Sequence, residues 1–278
     1  MREPWGALNL AHAQNDLGLR LAGRHNVPLM VEAIQTALTQ IEAEHDVRVL
    51  FAVESGSRAW GFESPDSDYD VRFLYVHKRD WYLSIRERRD VIEAMLPGDL
   101  DLSGWDLRKG LGLLAKSNPS HFERLQSPIV YRADETFLVE FRTIAEEYLS
   151  LGTLYRHYLS LARGQWDKYL QDDFVARKKY LYVLRPVLAC RWIEKGLGAP
   201  PTVFADCRVQ TLDPGEVSDA LDRLLVDKAK NIEMSLAPRD PVLHDFLGSE
   251  LERLSALPIR GKPRQDDAAL DVFFRKWI

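Results

Sequence analysis

Cysteine is scarce in this chain: of 278 residues only Cys190 and Cys207 carry a thiol, and they are not clustered. That excludes a disulfide scaffold and a cysteine-based zinc site. Cys190 lies in an apolar helical stretch and reads as a small core residue. A basic excess is lacking too. Lysine and arginine number 37 against 42 acidic residues, for a formal net charge of −5. A dedicated nucleic-acid coat is therefore excluded, while a local basic cleft for RNA is not. No apolar run is long enough to span a bilayer, and the N-terminus lacks the charged-then-apolar order of a signal peptide. There is no low-complexity tract, no internal repeat and no histidine pair at metal-ligand spacing. These absences point to a globular protein of the reducing cytoplasm without a membrane partner.

What is present is a composition of 46% hydrophobic and 28% charged residues, enough for one large domain or two ordinary ones. Residues 1–26 are weakly patterned and read as an extension. Val31, Ile34, Leu38 and Ile41 recur at helical spacing. The apolar run 47–53 reads as a buried strand. Further strands are expected at 69–76, 90–94 and 100–105. Asp106 reads as the N-cap of a helix to about Ala115. Asn118-Pro119 breaks that helix, and Ser127-Pro128 closes the next one. From Ala133 helical periodicity dominates, at 135–150, 153–169, 174–195, 214–235, 241–256 and 267–277, with Gly196 to Pro214 as the one long interruption. The expectation is an α+β chain, a sheet-based domain over 1–132 followed by a helical domain over 133–278.

The segment from Glu54 to Val71 carries the chemistry. A strand runs into Gly56-Ser57, where glycine permits close backbone approach and a helix start offers N–H groups to an anion. Alone, this is an ordinary turn with a serine cap. Asp68 and Asp70 follow at the start of an apolar strand. Alternate strand residues face one side, about 7 Å apart. Paired metal ions in phosphoryl transfer lie about 3.5–4 Å apart, so two such carboxylates can share one ion or straddle two. Alone, this is a solvated Asp-x-Asp. A third acid belongs on a neighbouring strand. Asp101 is the best candidate, with Asp99 and Asp106 as competitors, the latter discounted because capping explains it.

Gly56-Ser57, ten intervening residues and Asp68-Tyr69-Asp70 resemble the Gly-Ser…Asp-x-Asp pattern of the polymerase-β nucleotidyltransferase superfamily. The longer strings Glu54-Ser55-Gly56-Ser57-Arg58-Ala59-Trp60-Gly61-Phe62 and Asp66-Ser67-Asp68-Tyr69-Asp70-Val71-Arg72-Phe73 resemble one subgroup. So do Asp101-x-x-Gly104-Trp105-Asp106 and the stretch Lys178-Lys179-Tyr180 to Pro186. The subgroup is that of the RNA-ligase-associated, YcgL-like predicted nucleotidyltransferases, and the likeness runs from about residue 28 to 260. It implies a small mixed sheet of polymerase-β palm type, with the helical domain closing a nucleotide cleft. It implies two Mg²⁺ or Mn²⁺ ions on Asp68, Asp70 and Asp101, and Gly56 and Ser57 on the triphosphate of an NTP such as ATP. Asp101 would also help activate the acceptor hydroxyl.

Outside the motif, Lys178, Tyr182 and Arg185 share a helix face suited to phosphates and a base, opposite a core face of Leu181, Leu184 and Leu188; a solvated face is the rival reading. Arg58 is a candidate phosphate contact or a partner for a nearby acid. Arg72 faces the side of Asp70 and balances its charge. His121 and His157 read as structural or surface residues, and Trp60 as packing. The reaction expected is nucleotide transfer from an NTP to an acceptor hydroxyl, foremost an RNA 3′-end in repair or tailing, with an RNA ligase or other repair protein as candidate partner. The rivals are an acceptor that is a protein or small molecule, as in antitoxin-type or antibiotic-modifying relatives, and a non-catalytic nucleotide- or RNA-binding protein.

Overall fold

A computed structural model describes residues 27–230, 236–262 and 265–278. The extension expected over 1–26 lies outside them. The elements run α1 (Val27–His45), β1 (Val47–Glu54), α2 (Gly56–Trp60), β2 (Tyr69–His77), α3 (Arg79–Tyr82), β3 (Val91–Leu96), β4 (Leu100–Asp106), α4 (Leu107–Leu114), α5 (Pro119–Leu125), β5 (Val130–Ala133) and α6 (Glu135–Tyr148). They continue with α7 (Leu151–Tyr169), β6 (Phe174–Ala176), α8 (Lys178–Glu194), α9 (Phe204–Thr211), α10 (Glu216–Ala229), β7 (Leu236–Pro238), α11 (Pro241–Ser255) and α12 (Ala268–Trp277). This is the α+β class.

Two compact units result. The first holds the described residues up to Ala59, then Asp68–Leu149 and residues 265–278. Its five-stranded sheet has the order β3-β4-β2-β1-β5. Strands β2 and β4 are parallel; the other pairings are antiparallel. β1 lies inside the sheet, so it needs an apolar side chain at almost every position, and Val49 to Glu54 are all buried. One sheet face packs on α1, where Ile34, Ala37, Leu38 and Ile41 meet Val71, Phe73, Tyr75, Leu100 and Leu102. Strand alternation then turns Asp70 and Arg72, with Asp101, Ser103 and Trp105, to the other face, and all five are half-buried. Helix α6 belongs to this unit: Phe137 and Phe141 pack against Phe273 of α12.

The second unit holds Trp60–Ser67 and the described residues from Ser150 to 262. Helix α8 is its spine, with Leu181, Leu184 and Leu188 fully buried. Two features depart from the helical pattern expected there. Residues 174–176 form a strand that pairs with β7, and the helix starts only at Lys178. The stretch from Gly196 to Pro214 contains α9, which buries Phe204, Cys207 and Thr211 on one face.

Candidate active site

The parallel pairing of β2 with β4 sets Asp70 opposite Asp101. Arg72, two residues on, bridges them: its Nη2 donates to Asp70 Oδ1 at 2.8 Å and to Asp101 Oδ2 at 2.7 Å. Its Nη1 donates to the Asp101 carbonyl. Two carboxylates from adjacent strands therefore converge on one cationic point. Burial pushes the pKa of Asp70 up, and Asp101 and Asp68 push it the same way, while Arg72 pulls it down. Like charges crowded to this degree gain from a further cation. Asp68 is exposed at the mouth of β2. Asp99 sits in the turn before β4, where its carbonyl accepts from the Tyr69 amide. Asp106 caps α4 through the Arg108 amide and accepts from Tyr82, so it is buried and committed elsewhere.

Gly56 explains how Asp70 is seated. Its φ is +62°, and a Cβ there would lie 2.1 Å from Asp70 Oδ2. Glycine thus leaves the space that the carboxylate fills. Arg58 holds the other side of the motif. Its Nε donates to the Asp68 carbonyl at 3.0 Å, and its guanidinium lies 3.8 Å over the ring of Tyr69.

Glu54 was not legible as a site residue, yet it ties this region together. It is fully buried at the end of β1. Its Oε1 accepts from the Asp70 amide at 2.7 Å, and its Oε2 accepts from the Tyr131 hydroxyl. Burial raises its pKa to about 7, against the pull of Tyr131 and the Asp70 amide. The sequence signal was a lone acid closing a strand that is apolar from Val49 to Val53, just before Gly-Ser.

In the second unit, the half-buried Tyr182 and Arg185 and the exposed Lys178 lie on the less buried side of α8. Trp60, read from sequence as packing alone, meets them: Arg185 lies 4.2 Å over its ring, and Tyr182 makes an edge contact at 6.0 Å. Lys179 Nζ lies 5.1 Å from the centroid of the Tyr182 ring.

The hard oxygens of Asp70 and Asp101 fit a divalent cation by donor chemistry. Among the described residues, however, no three His, Cys, Asp or Glu side chains form a metal-holding group. The convergence is that of a carboxylate pair with Asp68 in electrostatic range.

The sequence pattern of the RlaP family, described as the RNA repair pathway DNA polymerase beta family, matches residues 30–276. The chain belongs to this family. It is 44% identical over 225 residues to YcgL of Bacillus subtilis (strain 168), a protein described as uncharacterized; the match covers 81% of this chain and 86% of that one. A crystal structure of a nucleotidyltransferase-like protein from Exiguobacterium sibiricum 255-15 is also similar, at 12% identity and a TM-score of 0.31, over 81% of this chain and 73% of that one. Membership brings a nucleotidyltransferase-like function in an RNA repair context. No helix among the described residues is long and apolar enough to cross a membrane.

His121, read from sequence as structural or surface, lies on α5. It is buried between the rings of Trp105 and Phe141. Burial, helped by Arg124, lowers its pKa from 6.5 to about 3. Between those values the unfolded chain takes up a proton that the folded chain refuses, so stability falls as pH drops. This group alone is expected to remove up to about 1.4 kcal/mol per pH unit in that window. His121→Phe is expected to give a correspondingly flatter profile in denaturant titrations between about pH 6 and pH 4. Equal slopes in the two proteins would contradict it.

Proposed function

We propose that this protein transfers a nucleoside monophosphate from an NTP to an acceptor hydroxyl, foremost at an RNA 3′-end. The observation that carries the reading is the convergence of Asp70 and Asp101 beside Gly56, in a chain of this family. Asp70 and Asp101, with Asp68, would hold the divalent metal. When bound, that metal neutralises carboxylate and triphosphate charge. Gly56 and Ser57 would hold the triphosphate, with Arg58, Lys178, Tyr182 and Arg185 as further nucleotide contacts. The acceptor oxygen attacks the α-phosphorus in line. The bond to the β-phosphate oxygen breaks, and pyrophosphate leaves with the electron pair. Asp101 takes the acceptor proton, and Arg72 keeps it oriented. Catalysis on this reading is positioning and charge complementarity, without a covalent intermediate.

The test uses α-labelled ATP, CTP, GTP and UTP with Mg²⁺ or Mn²⁺ and a single-stranded RNA bearing a 3′-hydroxyl. Label in RNA is the expected result, and the same gel identifies the preferred base. Label in a protein or small molecule instead would replace the RNA acceptor. No transfer to any acceptor would favour a nucleotide- or RNA-binding role.

The contact assigned to Lys178 has its own consequence. Lys178→Ala is expected to raise the KM for NTP about tenfold with little change in kcat, the loss of one charge-assisted contact. An unaltered KM would return this side of α8 to a solvated face.

A further inference from the structure

Arg124, on α5, is a buried cation with no ion-pair partner among the described residues, although the carboxylate of Glu123 acts on it from the same helix. It is 9% exposed, and among the described residues its Nη1 has no hydrogen-bond partner. Its guanidinium lies 3.5 Å from the centroid of Trp105. Burial and the neighbouring charge of Arg72 lower its pKa to about 9, against the smaller pull of Glu123, which leaves it cationic at neutral pH. An unsatisfied buried donor costs about 1–3 kcal/mol, more when charged, and the like charge of Arg72 adds to that cost. Stacking on Trp105 accounts for the apolar face of the guanidinium. It does not account for Nη1, whose N–H groups lie in the plane of the fork and have no partner among the described residues.

The position of the residue says what would satisfy it. Trp105 is on the same sheet face as Asp101, four residues further along β4, about 13 Å of strand. Arg72 stands between the carboxylates and Arg124, fully engaged with Asp70 and Asp101. The face thus runs from a carboxylate pair, through a neutralising arginine, to an arginine whose Nη1 is unpartnered among the described residues. An oxyanion with several acceptor oxygens fits that end, and the planar fork matches phosphate better than a lysine would.

We propose that Arg124, held on Trp105 beside Arg72, is a subsite for a phosphate oxyanion of the reacting molecules. The inference rests on the nucleotidyltransferase reading for the identity of those molecules. Two carry the group: the polynucleotide acceptor, through a backbone phosphate, and the NTP, through the portion that leaves as pyrophosphate.

The experiment measures equilibrium binding of inorganic pyrophosphate and of a single-stranded RNA oligonucleotide, each with Mg²⁺. It compares the full-length wild type with Arg124→Met, which keeps the stem on Trp105 but removes the charge, and Arg124→Lys, which keeps the charge but loses the fork. Arg124→Met is expected to weaken one ligand at least tenfold, and Arg124→Lys to weaken it less. Loss on the RNA arm assigns the subsite to the acceptor strand. It should lower the slope of log affinity against log salt by about 0.7, as for one phosphate contact on a single strand. Loss on the pyrophosphate arm assigns it to the nucleotide. A folded Arg124→Met that binds both ligands as wild type does overturns the proposal. If Arg124→Met does not fold, a folded Arg124→Lys with unchanged binding of both ligands overturns it equally. Absence of nucleotidyl transfer by the wild type would sink the reaction reading while leaving these binding results in force.

Discussion

Asp70→Ala is expected to lower kcat for nucleotidyl transfer roughly a thousandfold or more, about 4 kcal/mol of transition-state stabilisation. Folding stability should change by less than about 1 kcal/mol. The two effects separate because this carboxylate is an electrostatic burden on the fold. Desolvation and the charges of Asp101 and Asp68 disfavour its ionised form, and Arg72 is the one strong offset. Removing Asp70 leaves Arg72 still donating to Asp101 Oδ2 and to the carbonyls of Val71 and Asp101. No buried cation is therefore stranded, which is the usual reason that breaking an ion pair destabilises. The measurement pairs turnover, on the acceptor that labelled NTPs identify, with denaturant unfolding of the same variant. Turnover within tenfold of wild type would remove Asp70 from the reaction. A large loss of stability with equal loss of turnover would make it a structural residue.

The sequence revealed the site's parts better than the means of assembling them. The strand-turn-strand around Gly56-Ser57 and Asp68-x-Asp70 was legible, because apolar runs and a Gly-Ser break are local signals. Asp101 could be named as a neighbour of Asp70, but their register depends on a parallel pairing, and no local pattern encodes which strand lies beside β2. Strands β5, β6 and β7 have four, three and three residues, too few to show a period. Helix α9 is short and flanked by proline-bearing segments, so it read as loop. Glu54 and Trp60 show a different limit. A buried acid and a surface acid are the same letter, and so are a packing tryptophan and one that meets a cation. The grouping of α6 and α12 with the sheet follows from Phe137, Phe141 and Phe273 packing together across more than a hundred residues of chain, which order along the sequence does not disclose.

Gly56→Ala should be nearly as damaging to the reaction as loss of Asp70 itself, and its energetics should be separable. An L-residue at φ +62° pays about 1–2 kcal/mol for the left-handed backbone. The second penalty is steric, since the new Cβ would stand 2.1 Å from Asp70 Oδ2 and 3.0 Å from Cγ. Asp70 cannot simply swing aside. Its amide donates to the buried Glu54, and its other oxygen is held by Arg72. Relief then comes by breaking the Arg72 contact or by shifting the start of β2, and either one misplaces the carboxylate opposite Asp101. Displacements of this size cost about a hundredfold in rate or more. Stability should fall by about 2–4 kcal/mol in the wild-type background. In an Asp70→Ala background the nearest neighbour of the added methyl would be the Cβ of residue 70, at 3.5 Å, an ordinary contact. There the cost of Gly56→Ala should shrink to the backbone part, about 1–2 kcal/mol. A double-mutant cycle in denaturant reads that difference directly. A coupling near zero would mean that Gly56 serves the turn alone, and that Asp70 is held in place without it.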